Sequence, residues 1–274
     1  MPRAITAALV ASLLLLAAAG VGAQSFGFRQ SRGMAVGRLP EVRDGFTFCR
    51  LVYNAVRRED LGQGWETDYP MADQNLMIRL SELTKTEVTW FSQGRYPQPS
   101  HALVSATDPE IFQCPFLFAS DVGTAGFNEA ERKGLREYLL KGGFLWVDDF
   151  WGPTALQHWL NQMGAILPES QAFPIPAGHP ILSTFYFVDE FPQIPSIQYW
   201  RSSRGGTSER GSLSANATLY GLTDANDRLV VLMSHNTDIA DGWERENEDY
   251  EFFHLFSPRG YAVGINVAIW SMTH

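Results

Sequence analysis

Residues 128–149 read NEAERKGLREYLLKGGFLWVDD, and this stretch decides the fold. Asn128 with Glu131 has the spacing of an N-cap and its capping-box partner. Leu135, Tyr138 and Leu139 share one helical face, and Gly142 stands where a helix stops. Phe144 to Val147 is then a short apolar run of strand length, ending in the carboxylates Asp148 and Asp149. A capped amphipathic helix feeding a buried strand is half of a parallel β-α repeat.

The same alternation extends in both directions. Upstream, Phe46–Tyr53, Glu87–Phe91 and Pro115–Ser120 read as strands. Between the first two, Asp68-Tyr69-Pro70 offers an acidic cap and early Pro for a helix carrying Leu76, Leu80 and Leu83 and ending near Thr84. Downstream, a helix from Pro153 to Met163 closes on Gly164. Beyond Pro174 the pattern loosens, until Thr218–Leu222 and Arg228–Ser234 form a hairpin around Asp224–Asp227. A closing helix is expected from Arg259 to Met272. The expected architecture is α/β, a parallel sheet with helices on both faces and a C-terminal β-hairpin.

The N-terminus reads as a secretory signal peptide over residues 1–23. Arg3 supplies the positive charge, Ala4–Ala19 the apolar run and Val21-Gly22-Ala23 the cleavage site before Gln24. That run is shorter than a spanning helix needs, so no transmembrane anchor is expected after cleavage. The protein is then exported, to the periplasm or the medium. Residues 24–44, rich in Gly and Arg, read as a flexible leader, and 45–274 as a single α/β domain. A formal charge of −9 argues against nucleic acid as a partner. Cys49 and Cys114 are the two cysteines. Their apolar surroundings favour buried free thiols, although an oxidising compartment permits a bridge.

In an open parallel sheet, ligands bind beyond the carboxyl ends of the strands. This edge would collect Asp148 and Asp149, the turn with Gly123 and Gly126, and the loop histidines His179 and His235. Adjacent strand residues point to opposite faces, so at most one of Asp148 and Asp149 faces a common cleft. Either could serve a metal or acid–base chemistry, and either could simply cap the next element. The glycines permit anion approach near a helix N-terminus and equally suit an ordinary turn. Trp65, Tyr69 and Trp243 sit in or beside loops, where they could stack on a ligand such as a sugar or merely cover the sheet. Asp238–Glu251 lacks the ligand order of an EF-hand and reads as a solvated acidic loop. A metal, if present, would be divalent and would draw on Asp149, His179, His235 or Asp238. No zinc-type His or Cys spacing, Gly-x-Ser-x-Gly elbow or Walker loop is present.

Several segments together carry a family resemblance. They are Phe46-Thr47-Phe48, Trp65-x-Thr67-Asp68-Tyr69-Pro70-x-Ala72-Asp73-x-Asn75-Leu76, Arg79–Thr84, Gly142-Gly143-Phe144-Leu145-x-x-Asp148-Asp149, His179-Pro180-Ile181 and Gly264-Ile265-Asn266. In these the chain resembles the bacterial domain of unknown function family 4159. The order of segments also resembles, more distantly, class I glutamine-amidotransferase-like and trehalose-utilisation-protein-like domains. That second resemblance implies a flavodoxin-like sheet. True amidotransferases place a Cys at the elbow after the strand that follows Gly-Gly. Here the stretch is Val147-Asp148-Asp149-Phe150, so thiol catalysis is not expected. Relatives joined to aerotolerance-type membrane modules allow envelope protein partners.

Three functions follow from these readings. The first is a ligand-binding or interaction domain, with Gly123, Gly126, Trp65, Asp68, Tyr69, His179 and Trp243 near the ligand. The second is a metal-assisted hydrolase or sugar-modifying enzyme in which Asp148 or Asp149 works with His179 or His235. The third is a structural partner in an envelope assembly.

Overall fold

The computed structural model describes residues 45–91 and 97–274. The signal-peptide and leader expectations lie outside the described residues. Seven strands form the main sheet: β1 Phe48–Val52, β2 His101–Ser105, β3 Leu117–Ala119, β4 Leu145–Phe150, β5 Phe173–Pro174, β6 Thr218–Thr223 and β7 Leu229–His235. Their spatial order is β2-β1-β3-β4-β7-β6-β5. The first five in that order pair in parallel, and β6 runs antiparallel to both β7 and β5. Numbered among themselves, the parallel strands follow the 2-1-3-4-5 order of flavodoxin-like sheets. The hairpin β6–β7 extends that sheet on one side.

Among the described residues six helices accompany the strands: α1 Met71–Leu83, α2 Glu129–Leu140, α3 Gly152–Ile166, α4 Ile197–Ser202, α5 Asp241–Glu244 and α6 Tyr250–Thr273. Strand alternation divides the core between the two faces. Leu145 and Val147 of β4 pack with Leu135 and Tyr138 of α2 and Trp159 of α3. Trp146 points the other way, into a cluster with Leu76 of α1, Ile265 of α6 and Trp243 of α5. Burying a side chain such as Leu or Val contributes roughly 1.5–3 kcal/mol. Because a one-residue slip would send each of these to the wrong face, both faces together fix the register.

Helix α2 is built as its sequence implies, with both halves of the Asn128–Glu131 capping box formed. Gly142 follows it at a φ of 109°, a conformation that strains any residue with a Cβ. At the other end of the chain, Asn266 of α6 is buried. It accepts from the Phe185 and Tyr186 N–H groups and donates to the Tyr186 carbonyl, fastening that loop to the helix.

The structure corrects several expectations. Cys49 and Cys114 are bridged, not free, with Cα atoms 6.1 Å apart. Cys49 lies on β1 and Cys114 just before β3, and these strands are neighbours in the sheet although 65 residues separate the cysteines. The second strand of the sheet is His101–Ser105 rather than Glu87–Phe91. Val88 makes only a single bridge to Phe46, and Trp90–Phe91 leaves the sheet to pair with Gln98–Pro99. His101, polar in sequence, is buried in β2 because Tyr69 Oη bonds its Nε2.

Asp68 does not cap α1 with its side chain. Its backbone carbonyl accepts the Ala72 N–H, while its carboxylate turns to Ser120. Gly164 lies within α3, which ends at Ile166. Helix α6 starts at Tyr250, well before Arg259, because the Asp249 side chain caps it and Phe252 is buried. The acidic stretch after Asp238 is also not a solvated loop. It contains α5, with Asp238, Asp241 and Trp243 all buried.

Candidate functional site

Loops after β1, β4 and β7 converge on a cleft of about 90 Å³ at the carboxyl edge of the parallel strands. The chain reaches it by three local devices. At the end of β4, Asp149 takes a φ of 53° and interrupts the pleat. Val147 and Phe150 consequently join the same core cluster, and Asp149 lines the cleft. After β1, Asp68 adopts a φ of 63° just ahead of α1. After β7, Asp238 precedes the short helix α5, and its Oδ1 accepts the Asp241 N–H at 2.8 Å.

These three carboxylates meet. One oxygen from each of Asp68, Asp149 and Asp238 lies within 4.8 Å of the others, and all three residues are buried. Asp68 Oδ2 accepts from Ser120 Oγ at 3.1 Å, and Asp149 Oδ1 accepts from Trp151 Nε1 at 2.8 Å. Among the described residues no Lys or Arg forms an ion pair with any of the three. A second group, Asp68 with Asp241 and Glu244, has the same spacing. It differs in being served by Arg245, whose Nη2 lies 2.8 Å from Glu244 and whose Nε lies 3.4 Å from Asp241.

The electrostatics follow from this packing. Burial raises Asp68 to about 6, against the pull of the nearby Arg50 charge and the Ser120 hydrogen bond. Burial, followed by repulsion from Asp68, holds Asp149 and Asp238 well above the usual carboxylate range. Glu244 rises to about 7 for the same two reasons. Taking a charge out of water is costly unless an opposite charge joins it. Arg50 lies beneath the cleft, fully buried and paired with Asp73. Its Nη1 donates to the carbonyls of Trp65 and Thr67, so it holds the loop that carries Asp68.

The other expected site residues are placed as follows. Asp148 does not line the cleft; its Oδ2 accepts the Ala240 N–H, and Oδ1 has no hydrogen-bond partner among the described residues. His235 sits opposite Phe150, with its ring against Phe150 and Tyr220 and its Nε2 bonded to the Gly152 carbonyl. His179 caps a short turn through Nδ1 and packs on Trp270 in a separate cleft with Arg228. Neither histidine lines the acidic cleft, so the expected pairing of Asp148 or Asp149 with His179 or His235 across it is not made.

Gly123 gives its carbonyl to Arg57, and a Cβ there would strike Glu59 and Ala155. Gly126 pairs with Asn54. Both are accounted for by close packing of the turn. Trp243 is buried between Phe118, Trp146 and Tyr261 and is not a loop platform. Trp65 is buried against Tyr69, and Tyr69 lines the cleft.

Sequence reasoning did not single out Asp241, Glu244 or Glu209. Asp238-x-x-Asp241-x-x-Glu244 repeats at three-residue intervals, a spacing that puts acidic groups on one helical face. That was the available signal. Glu209 comes from the irregular segment before β6 and carries no such mark.

No curated protein matches the chain. The family described as "Domain of unknown function (DUF4159)" matches residues 47–272, which include all seven strands of the sheet and every residue of the cleft. The chain belongs to this family.

Proposed function

We propose that the cleft is a divalent-cation centre through which an exported protein binds a small polar ligand. The observation that carries this reading is the convergence of Asp68, Asp149 and Asp238, buried and within 4.8 Å, without an ion pair among the described residues. Such a group is stabilised either by protons or by a cation, and a cation is the stronger partner at neutral pH. An all-oxygen donor set suits hard ions such as Mg²⁺, Mn²⁺ or Ca²⁺. The cleft has space for the ion together with several waters, which a ligand's oxygens could replace.

Among the described residues neither a histidine nor a thiol lines the cleft, so the groups it offers beside an ion are carboxylates. Export is supported by the tripartite N-terminus and by the Cys49–Cys114 bridge, which persists most readily in an oxidising compartment. The test is titration of the mature chain, beginning at Gln24, with Mn²⁺ at pH 8, followed by electron paramagnetic resonance and calorimetry. We expect one ion per chain, lost in the double variant Asp149→Asn, Asp238→Asn. Full-length folded protein that takes up no ion, and whose melting temperature ignores Mn²⁺, Mg²⁺ and Ca²⁺, overturns the reading.

A further inference from the structure

We infer that a second cleft, on the opposite edge of the sheet from the converging aspartates, binds an uncharged, flat aromatic ring carrying an amide. This cleft shares no residue with the acidic one, so the inference is independent of the cation reading.

The acidic cleft lies beyond the carboxyl ends of the parallel strands, whereas the second opens beside Leu229, the first residue of β7. Its volume is about 400 Å³, within the roughly 300–1,000 Å³ of small-molecule sites. Phe173, Leu229 and the half-buried Trp270 give it apolar walls. Apolar and aromatic walls with a few converging polar groups are the usual make-up of a small-molecule pocket.

A ring already seated there indicates the shape of the occupant. The imidazole of His274 lies on the Trp270 indole, with centroids 3.7 Å apart and planes 2° from parallel. His274 is exposed, and among the described residues its ring has a hydrogen bond only to neighbouring Thr273. Stacking therefore sets it flat on the indole. The Trp270 face accepts a planar ring, and a ligand with more aromatic surface would take the same place.

Polar groups on the wall select what that ring carries. The Ile181 N–H donates to His179 Nδ1 at 3.2 Å, which puts the proton of the neutral ring on Nε2. Burial lowers His179 from its ordinary value, so the ring is neutral at pH 8. Its Nε2–H is a donor without a partner among the described residues. Arg228 gives one N–H each to Asp224 and to the Gly143 and Leu139 carbonyls, which leaves two of its five. Both residues call for an acceptor such as a carbonyl oxygen. The exposed Asp227 carboxylate on the same wall calls for a donor. An amide supplies both from one planar group.

Charge disfavours the ionised alternatives. Asp224 already balances Arg228 at 3.2 Å, and Asp227 adds a negative charge, so a carboxylate ligand meets no net positive charge. An ammonium group has no lone pair to offer His179 Nε2–H or the spare Arg228 N–H groups.

The experiment uses the mature chain in chelator at pH 8, so that no cation takes part, and four probes: benzamide, benzoate, benzylamine and cyclohexanecarboxamide. Saturation transferred from protein to probe, followed by NMR titration, ranks their affinities. We expect benzamide to bind at least tenfold more tightly than each of the other three. Trp270→Leu should weaken it at least tenfold, and His179→Phe, which keeps a ring but loses the donor, at least threefold. His274→Ala removes only an exposed side chain and should strengthen binding at least twofold by vacating the indole. Benzoate or benzylamine binding as tightly as benzamide overturns the amide assignment, as does benzamide binding untouched in His179→Phe. Cyclohexanecarboxamide binding as tightly overturns the stacking. No transfer to benzamide at millimolar concentration overturns the site itself, as does binding unchanged in both Trp270→Leu and His274→Ala.

Discussion

Replacing Asp68 with Asn should make the metal-free protein more stable at alkaline pH while destroying its response to cations. Asp68 titrates near 6 in the folded chain and has a reference value of 3.8. Because the folded value is raised, the native state holds the proton more tightly than the unfolded chain. Stability is therefore undiminished below the unfolded value, declines as pH rises, and has lost its full increment above the folded value. The separation corresponds to about 3 kcal/mol at pH 8. Asn is isosteric, keeps an acceptor for Ser120 Oγ, and does not pay that penalty. For a domain of this size, 3 kcal/mol is roughly 6–12 °C in melting temperature.

The assay is thermal unfolding by circular dichroism in chelator at pH 4 and pH 8, repeated with saturating Mn²⁺. Asp68→Asn should melt above wild type at pH 8 without metal and level with it at pH 4. At pH 8 with Mn²⁺ the order should reverse, since an ion at about 1,000 times its dissociation constant adds about 4.1 kcal/mol to wild type alone. A metal-free Asp68→Asn protein less stable than wild type at pH 8 would refute the reasoning. It would mean that the carboxylate's charge is already balanced inside the protein.

Three further outcomes are expected. Removing the Cys49–Cys114 bridge in a double Ala variant frees a loop of 65 residues and should cost about 4 kcal/mol by chain entropy, read from urea midpoints. Arg50→Met should cost about 3–5 kcal/mol in the same measurement, because it strands the buried Asp73 charge, and Arg50→Met with Asp73→Leu should recover part of the loss. Asn266→Leu should leave the buried N–H groups of Phe185 and Tyr186 without their acceptor, costing about 1–3 kcal/mol, and should speed amide exchange at those two positions.

Periodicity made much of this architecture legible. The α2–β4 unit was readable because its capping box, its apolar face and its terminal Gly are all local. The β6–β7 hairpin was readable for the same reason. The Cys49–Cys114 bridge was not, since it depends on β1 and β3 being neighbours, which is a property of topology. Strand β2 was hidden by His101, whose burial depends on a hydrogen bond from a loop more than thirty residues earlier.

At the site, Asp149 was legible as a carboxylate ending a strand, whereas its exit from the pleat is a backbone event without a sequence signature. Asp238 and its partners on α5 were obscured by their own composition. A run of acidic residues ordinarily belongs to solvent, and only the convergence of three loops removes water from this one. The histidines misled for the opposite reason. His235 and His179 are reactive residue types near the right strands, but each is committed to a local hydrogen bond.

The interrupted edge of the sheet has an engineering consequence. Val88 stands opposite Phe46, and His101 stands opposite Phe48, so the ladder continues as though Thr89 were followed directly by His101. The backbone bond from Ser100 N–H to the Thr89 carbonyl closes the base of this detour. The chain thus leaves the ladder after Thr89 and rejoins it at His101. An unrelated peptide spliced between Phe91 and Gln98, which keeps the Trp90–Phe91 and Gln98–Pro99 pair and the Ser100 bond, should leave the flanking strand pairing in place. That makes this edge a natural docking port for tags, spectroscopic probes or binding peptides, at a place whose described residues do not line the cleft.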